Sequence, residues 1–72
     1  MTAHGPVLPL WLCEACDRPW PCATRRVQLL GEYATSPVAL RIYLASRLTA
    51  AAQDMSWASA DTLDRRFLGW LA

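Results

Sequence analysis

The sequence has no lysine and only one histidine, His4, among its 72 residues. Its seven basic residues are all arginines, and against six carboxylates they leave a net charge of only +1. A surface that binds nucleic acid is normally strongly basic, so we do not expect a nucleic-acid partner. The pairs Arg25/Arg26 and Arg65/Arg66 are best interpreted as solvated faces of helices.

The sequence also has no long hydrophobic run and no signal peptide. The membrane-spanning length of ~20 apolar residues is not approached anywhere. The early stretch Val7–Leu12 is interrupted by Pro9 and follows no basic segment, which a signal peptide would need. We therefore expect a cytoplasmic protein that makes no contact with a membrane.

Catalytic motifs are missing as well. There is no serine elbow, no Gly-rich phosphate loop and no pair of carboxylates, and a single histidine leaves little from which to build an acid–base pair. The prediction is therefore that the protein is not an enzyme.

The informative feature of the chain is its cysteine cluster. Cys13 and Cys16 form a C-x-x-C motif, and Cys22 follows directly after two prolines and Trp20. Two residues between cysteines let both sulfurs reach one ion, while backbone N–H groups turn toward the thiolates. In a reducing compartment, clustered cysteines are more typical of metal ligands than of disulfides.

A closed tetrahedral site needs a fourth ligand, and His4 is the only histidine on offer. We predict a structural Zn²⁺ site formed by His4, Cys13, Cys16 and Cys22, because Cys₃His is an established zinc ligand set. Several alternatives remain open: Asp17 or a water molecule as fourth ligand, an iron–sulfur cluster, a dithiol redox pair, or free buried cysteines.

The fold expected from the sequence is mainly α, with an irregular zinc knuckle packed on a small bundle of three helices. The knuckle covers residues 1–22 and the bundle residues 23–72 of a single domain. Apolar periodicity predicts helices over about Cys22–Ala34, Pro37–Asp54 and Ala60–Leu71. Ser36 and Ser59 are suitable N-caps, and Pro37 suits the first helical position. Two helices followed by a frayed tail is the alternative.

The predicted apolar faces have specific members. Helix one should bury a stripe of Ala23, Val27, Leu30 and Ala34, which Leu29 and Tyr33 widen. Helix two carries two stripes, which predicts contacts on two sides. The members of the first stripe are Val38, Ile42, Ala45, Ala52 and Met55. The members of the second are Leu40, Tyr43, Leu44, Leu48 and Ala51.

The four tryptophans are many for so short a chain. Trp11 and Trp20 flank the cysteines and are expected to shield the metal and tie the knuckle to the helices, whereas Trp57 should be exposed. Four tryptophans and two tyrosines exceed what one small core can cover. We therefore expect a homodimer or an unidentified protein partner, bound at Trp57 or at the outer side of helix two, where Tyr43 or Leu40 stays uncovered.

Several segments carry a resemblance to known proteins: WLCEAC at 11–16, PWPC at 19–22, EY at 32–33 and RFLGW at 66–70. With His4 they resemble a group of small, uncharacterised actinobacterial proteins, and the resemblance covers nearly the whole chain. It implies that His4 is part of the motif. Such proteins often carry a flavin reductase label, but 72 residues without a flavin or nicotinamide motif cannot easily enclose either cofactor.

The sequence thus predicts a small zinc-binding protein that acts as a protein-interaction or regulatory module. A thiol-based redox sensor, which releases zinc when Cys13 and Cys16 are oxidised, is the competing hypothesis.

Overall fold

The computed structural model describes residues 4–71, and this part of the chain is mainly helical. Three helices are present, α1 (Ala23–Glu32), α2 (Pro37–Asp54) and α3 (Ala60–Phe67). Two short strands, β1 (Pro6–Val7) and β2 (Leu12–Cys13), precede them. The mainly helical class and the three helices are confirmed, and none of the described helices is long and apolar enough to cross a membrane.

The helix starts follow from the capping residues. The Ser36 hydroxyl accepts a hydrogen bond from the N–H of Ala39 at 3.3 Å, and Pro37 occupies the first turn of α2. The Ser59 hydroxyl accepts from the N–H of Thr62 at 3.1 Å at the start of α3. Both caps satisfy an N–H group that has no partner within the helix, which is why the predicted starts are confirmed.

Helix α2 ends at Asp54 as predicted, whereas α1 and α3 end earlier than the apolar periodicity predicts. Helix α1 ends at Glu32, and α3 ends at Phe67 instead of Leu71. After α3, the N–H of Gly69 turns back to the carbonyl of Asp64 at 3.0 Å. A Cβ at Gly69 would lie 2.7 Å from the carbonyl oxygen of Arg65, so this tight turn requires glycine.

The knuckle contains regular backbone pairing that the sequence did not predict. Strands β1 and β2 are antiparallel, with Pro6 opposite Cys13, and the N–H of Glu14 donates to the carbonyl of Gly5 at 2.9 Å. Each strand has only two residues, and prolines interrupt the segment, so no alternating pattern was long enough to reveal them. The hairpin brings the start of the chain alongside the C-x-x-C motif.

The core lies between the knuckle and the helices. Helix α2 packs against both α1 and α3, while among the described elements α1 and α3 do not approach each other. The fully buried rings of Trp11 and Trp20 pack against Phe67 of α3, with ring centres 5.7 and 5.8 Å away. The predicted tie between knuckle and helices through these two tryptophans is therefore confirmed.

The structure corrects the predicted apolar faces of α1 and α2. In α1 the buried residue is Leu29, whereas Val27 and Leu30 are 70% and 53% exposed. In α2 the second stripe forms the core, with Leu40 only 3% exposed. The prediction that Leu40 stays uncovered is wrong, because the first stripe faces outward instead, except for Met55 at its end, which is buried. Trp57 is 74% exposed, as predicted.

Two arginines predicted to be solvated are part of the packing. The Nε of Arg66 donates to the carbonyl of Trp20 at 2.9 Å, and its Nη2 donates to the carbonyls of Leu10 and Trp11. Arg26 donates to the carbonyl of Pro21 at 2.9 Å. The solvated interpretation is therefore wrong for these two residues.

Candidate metal centre

The four residues predicted to bind metal come from four different places in the fold. His4 precedes β1, Cys13 ends β2, Cys16 lies in the turn after β2, and Cys22 is the N-cap of α1. The β1–β2 pairing returns His4 to the cysteines across the eight intervening residues. The indole Nε1 of Trp20 also donates to the carbonyl of His4 at 3.0 Å, which fixes the backbone there.

Their ligand atoms converge on one point. The three sulfurs and one imidazole nitrogen all lie within 4.8 Å of one another. His4 Nδ1 is 3.2 Å from the sulfur of Cys13 and 3.4 Å from that of Cys22. Zn–S bonds of about 2.3 Å and Zn–N bonds of about 2.05 Å in a tetrahedron put N and S about 3.6 Å apart and two sulfurs about 3.8 Å apart. The arrangement is therefore close to what a single tetrahedral ion requires.

The turn between Cys13 and Cys16 holds their sulfurs together. The N–H of Asp17 donates to the carbonyl of Cys13 at 2.9 Å, and the N–H of Cys13 donates to the carbonyl of Arg18 at 2.7 Å. Asp17 itself has a φ of 58° and an exposed side chain. In the described part of the chain its carboxylate does not belong to the cluster, so the geometry favours His4 over Asp17 as the fourth ligand.

The start of α1 provides a hydrogen bond to the third sulfur, that of Cys22. The Cys22 sulfur accepts a hydrogen bond from the N–H of Arg25 at 3.4 Å, taking the place of an N-cap oxygen. The positive end of the helix dipole stabilises a thiolate at this position. The prediction that Cys22 lies at the start of the first helix is confirmed, because Cys22 is the residue immediately before α1.

The cluster favours negative charge on the sulfur of Cys13 but not on that of Cys16. Burial raises the pKa of the Cys13 thiol, but hydrogen bonds from the backbone N–H groups of Ala15 and Cys16, and from the side chains of Cys16 and His4, lower that pKa to about 6. The backbone hydrogen bond to Arg18 lowers the pKa of the Cys16 thiol, yet desolvation and the sulfurs of Cys13 and Cys22 raise it overall. Negative charge on one sulfur therefore disfavours negative charge on its neighbour, and a bound cation would offset that repulsion.

The sulfurs differ in exposure. Cys13 and Cys22 are buried, whereas Cys16 is exposed. The site can therefore be reached by small molecules in solution.

Two supporting residues were missed from the sequence. Asp54, at the end of α2, accepts a hydrogen bond from Trp11 Nε1 at 2.9 Å. Arg66 holds backbone carbonyls on either side of the C-x-x-C turn, at Trp11 and Trp20. Both act across more than 40 residues of sequence, so no local pattern could have identified them.

Comparisons with known proteins identified no relative of this chain. No family model matches the chain, and neither a curated protein nor a solved structure matches it. The resemblance of the W-P-C and F-L-G-W segments to small actinobacterial proteins therefore stays a prediction.

Proposed function

We propose that the protein binds one structural zinc ion through His4, Cys13, Cys16 and Cys22. The convergence of these four ligand atoms within 4.8 Å carries the proposal. Zinc would join His4, the turn and the beginning of α1, and so would add to the backbone pairing of β1 with β2 and to the hydrogen bond from Trp20 to His4. Structural zinc sites contribute directly to folding free energy, which a chain of 72 residues needs.

The donor set and its size favour zinc over the alternatives. Three thiolates and one imidazole suit zinc well, while an iron–sulfur cluster needs sulfurs spread around a group larger than one ion. A disulfide between two cysteines would leave the third sulfur next to the bond without a role. Four protein ligands also leave no open position for a substrate, which supports a protein that is not an enzyme.

The role we propose for this fold is that of a cytoplasmic protein-interaction or regulatory module. Its support is the large apolar surface left outside the core, which includes Trp57, Val38, Ile42 and Val27. Isolated apolar residues are common on surfaces, but Val38 and Ile42 lie one turn apart on α2, and neighbouring exposed apolar residues favour an interaction site.

Cobalt substitution tests the metal site. Co²⁺ in a tetrahedral Cys₃His site should give strong visible absorption and a thiolate-to-metal charge-transfer band at one equivalent per chain. Cys13→Ser should reduce the charge-transfer band, and His4→Ala should alter the visible bands but keep the thiolate band. Weak, octahedral-type absorption in the unaltered protein would contradict the proposal.

The exposure of Cys16 favours one second candidate, a redox sensor. Hydrogen peroxide would take two electrons from the Cys13 and Cys16 thiolates, so that an S–S bond forms, the O–O bond breaks, and two protons complete two water molecules. Zn²⁺ would leave because only Cys22 and His4 remain as ligands. Rapid stoichiometric zinc release by dilute peroxide, reversed by a thiol reductant with zinc present, would support the sensor, whereas resistance would support a purely structural site.

A further inference from the structure

The outward face of α2 carries a regular apolar seam. We define the seam as the following five exposed residues: Val38, Ile42, Ala45, Thr49 and Ala52. Their spacing alternates between four and three residues, the 3.5-residue repeat of helices that pack along each other. The core residues Leu40, Leu44 and Ala51 lie on the other side of the helix. Helix α2 is therefore apolar on two faces, and the described chain covers only one of them.

The one polar member of the seam does not oppose burial. The Thr49 hydroxyl donates to the carbonyl of Ala45 at 3.1 Å, within its own helix. Covering this residue would not leave a buried hydroxyl without a partner. The seam can thus be buried along its whole length.

The sizes of the seam residues indicate what covers it. The N-terminal half carries the large Val38 and Ile42, and the C-terminal half carries the small Thr49 and Ala52, with Ala45 between them. An antiparallel copy centred on Ala45 places Val38 opposite the partner's Ala52 and Ile42 opposite the partner's Thr49. Large residues then face small ones throughout, which is how close-packed helices interdigitate.

The ends of α2 fit the same register. Trp57 follows the C-terminal end of α2 and is the most exposed large apolar residue of the described chain. Beside the N-terminal end lies a cavity of about 380 Å³, lined by Tyr33, Val38, Leu71, other apolar groups and Arg41. Trp57 lies three positions beyond the last residue of α2, Asp54. The two-fold that pairs Val38 with the partner's Ala52 therefore brings the partner's Trp57 to the N-terminal end of α2, where this cavity lies.

Charge does not oppose this pairing. Within residues 4–71, Arg41 is the only charged residue of α2 next to the seam, and it lies four positions from the two-fold axis. The two copies of Arg41 would be separated by about 12 Å along the helices. That distance exceeds the Debye length of ~8–10 Å, so their repulsion is largely screened.

We propose that the protein forms an antiparallel homodimer through the α2 seam, with each Trp57 seated in its partner's cavity between α1 and α2. The seam is ~21 Å long and a helix is ~10 Å wide, so with the tryptophans each copy buries on the order of 500 Å². The total of about 1,000 Å² is at the low end for specific complexes. The dimer is therefore reversible, with a dissociation constant of roughly 1–100 µM.

Sedimentation velocity on the zinc-loaded protein tests the dimer over a series of roughly 1–300 µM. The mass should rise from 8.0 kDa toward twice that value. Ala45→Glu places two carboxylates opposite each other at the axis and should weaken dimerisation at least tenfold. The control is Ala60→Glu, the same change at an exposed residue of α3, which should dimerise normally. Circular dichroism and zinc content verify that each variant is folded.

An exchange of seam residues tests the antiparallel register. Thr49→Ile alone sets isoleucine against the partner's Ile42 and should weaken the dimer. Adding Ile42→Thr restores large against small and should return affinity to within about threefold of the original. In a parallel pair position 49 faces its own copy, so Thr49→Ile would strengthen association and overturn the register.

Substitution of Trp57 tests its proposed contact with the partner's cavity. Trp57→Ala should weaken the dimer at least tenfold, since it empties both cavities. A monomer across the whole series, or a dimer unaffected by both Ala45→Glu and Trp57→Ala, would overturn the proposal. Neither result would bear on zinc binding, because the seam shares no residue with the metal centre.

Discussion

Replacing Arg66 tests whether hydrogen bonds attach the knuckle to α3 or whether the knuckle is held by apolar packing alone. The guanidinium group of Arg66 lies between α3 and the knuckle and donates to the carbonyls of Leu10, Trp11 and Trp20. Partial burial lowers the pKa of Arg66, but the group remains charged at neutral pH. Arg66→Ala would remove this donor from all three carbonyls, of which only that of Trp11 also accepts a backbone hydrogen bond among those of the described residues, from the N–H of Trp20 at 2.8 Å. It would also remove the main polar link between α3 and the knuckle.

The expected loss of stability is large for so small a protein. A buried hydrogen bond to a charged group contributes ~1.5–3 kcal/mol to the free energy of unfolding. Because Arg66 is partly exposed, each of its three hydrogen bonds to the knuckle should contribute nearer to about 1 kcal/mol. Arg66→Ala should therefore lower the free energy of unfolding by about 3 kcal/mol. Arg66→Lys keeps the charge but not the planar fork, and should lose about 2 kcal/mol.

The neighbouring arginine provides the control. Arg65 is exposed and pairs only with Asp61, one helical turn away. Arg65→Ala should cost no more than about 0.5 kcal/mol. Urea unfolding of the zinc-loaded proteins, followed by circular dichroism, gives both values. Equal effects of the two substitutions would refute the assignment of Arg66 as the link between α3 and the knuckle.

Three further predictions concern the site, the core and a cap. Cys16→Ser should lose zinc and much of the helical circular dichroism together. His4→Ala should retain weaker zinc binding, because water can replace the imidazole. Unchanged helicity without zinc would show that the helices fold alone. Leu44→Ala should lower the free energy of unfolding by ~2–5 kcal/mol and Val27→Ala by less than ~0.5 kcal/mol, and reversed values would contradict the buried faces. Ser59→Ala should cost ~1 kcal/mol in thermal or urea unfolding, and no change would remove its role as the N-cap of α3.

Features that depend on neighbouring residues were predictable from the sequence. Ser36 with Pro37, and Ser59, set the starts of α2 and α3 through hydrogen bonds to residues three positions away. The metal-binding candidates were predictable for the same reason, since three cysteines lie within ten residues. His4 was identified only because the chain has no other histidine, and the hairpin that brings it to the cysteines was not foreseen.

Features that depend on which surfaces meet were not predictable. Helix α2 is apolar on two sides, so periodicity alone could not show that Leu40 faces the core while Val38 and Ile42 face solvent. In α1, Leu29 at the edge of the predicted face is buried, whereas Val27 and Leu30 at its centre are exposed. Arg66 looked like any solvated arginine, since the carbonyls that bind it are more than 40 residues away.

The zinc content of the purified protein decides whether the four converging ligands form a metal site. The protein should be purified without added metal or chelator, and zinc and protein should be quantified on the same sample. The Cys₃His cluster predicts about one zinc per chain, with the three thiols protected from titration until the protein is unfolded. Less than about a tenth of a zinc per chain, with all three thiols freely titratable in a folded protein, would contradict a structural zinc site.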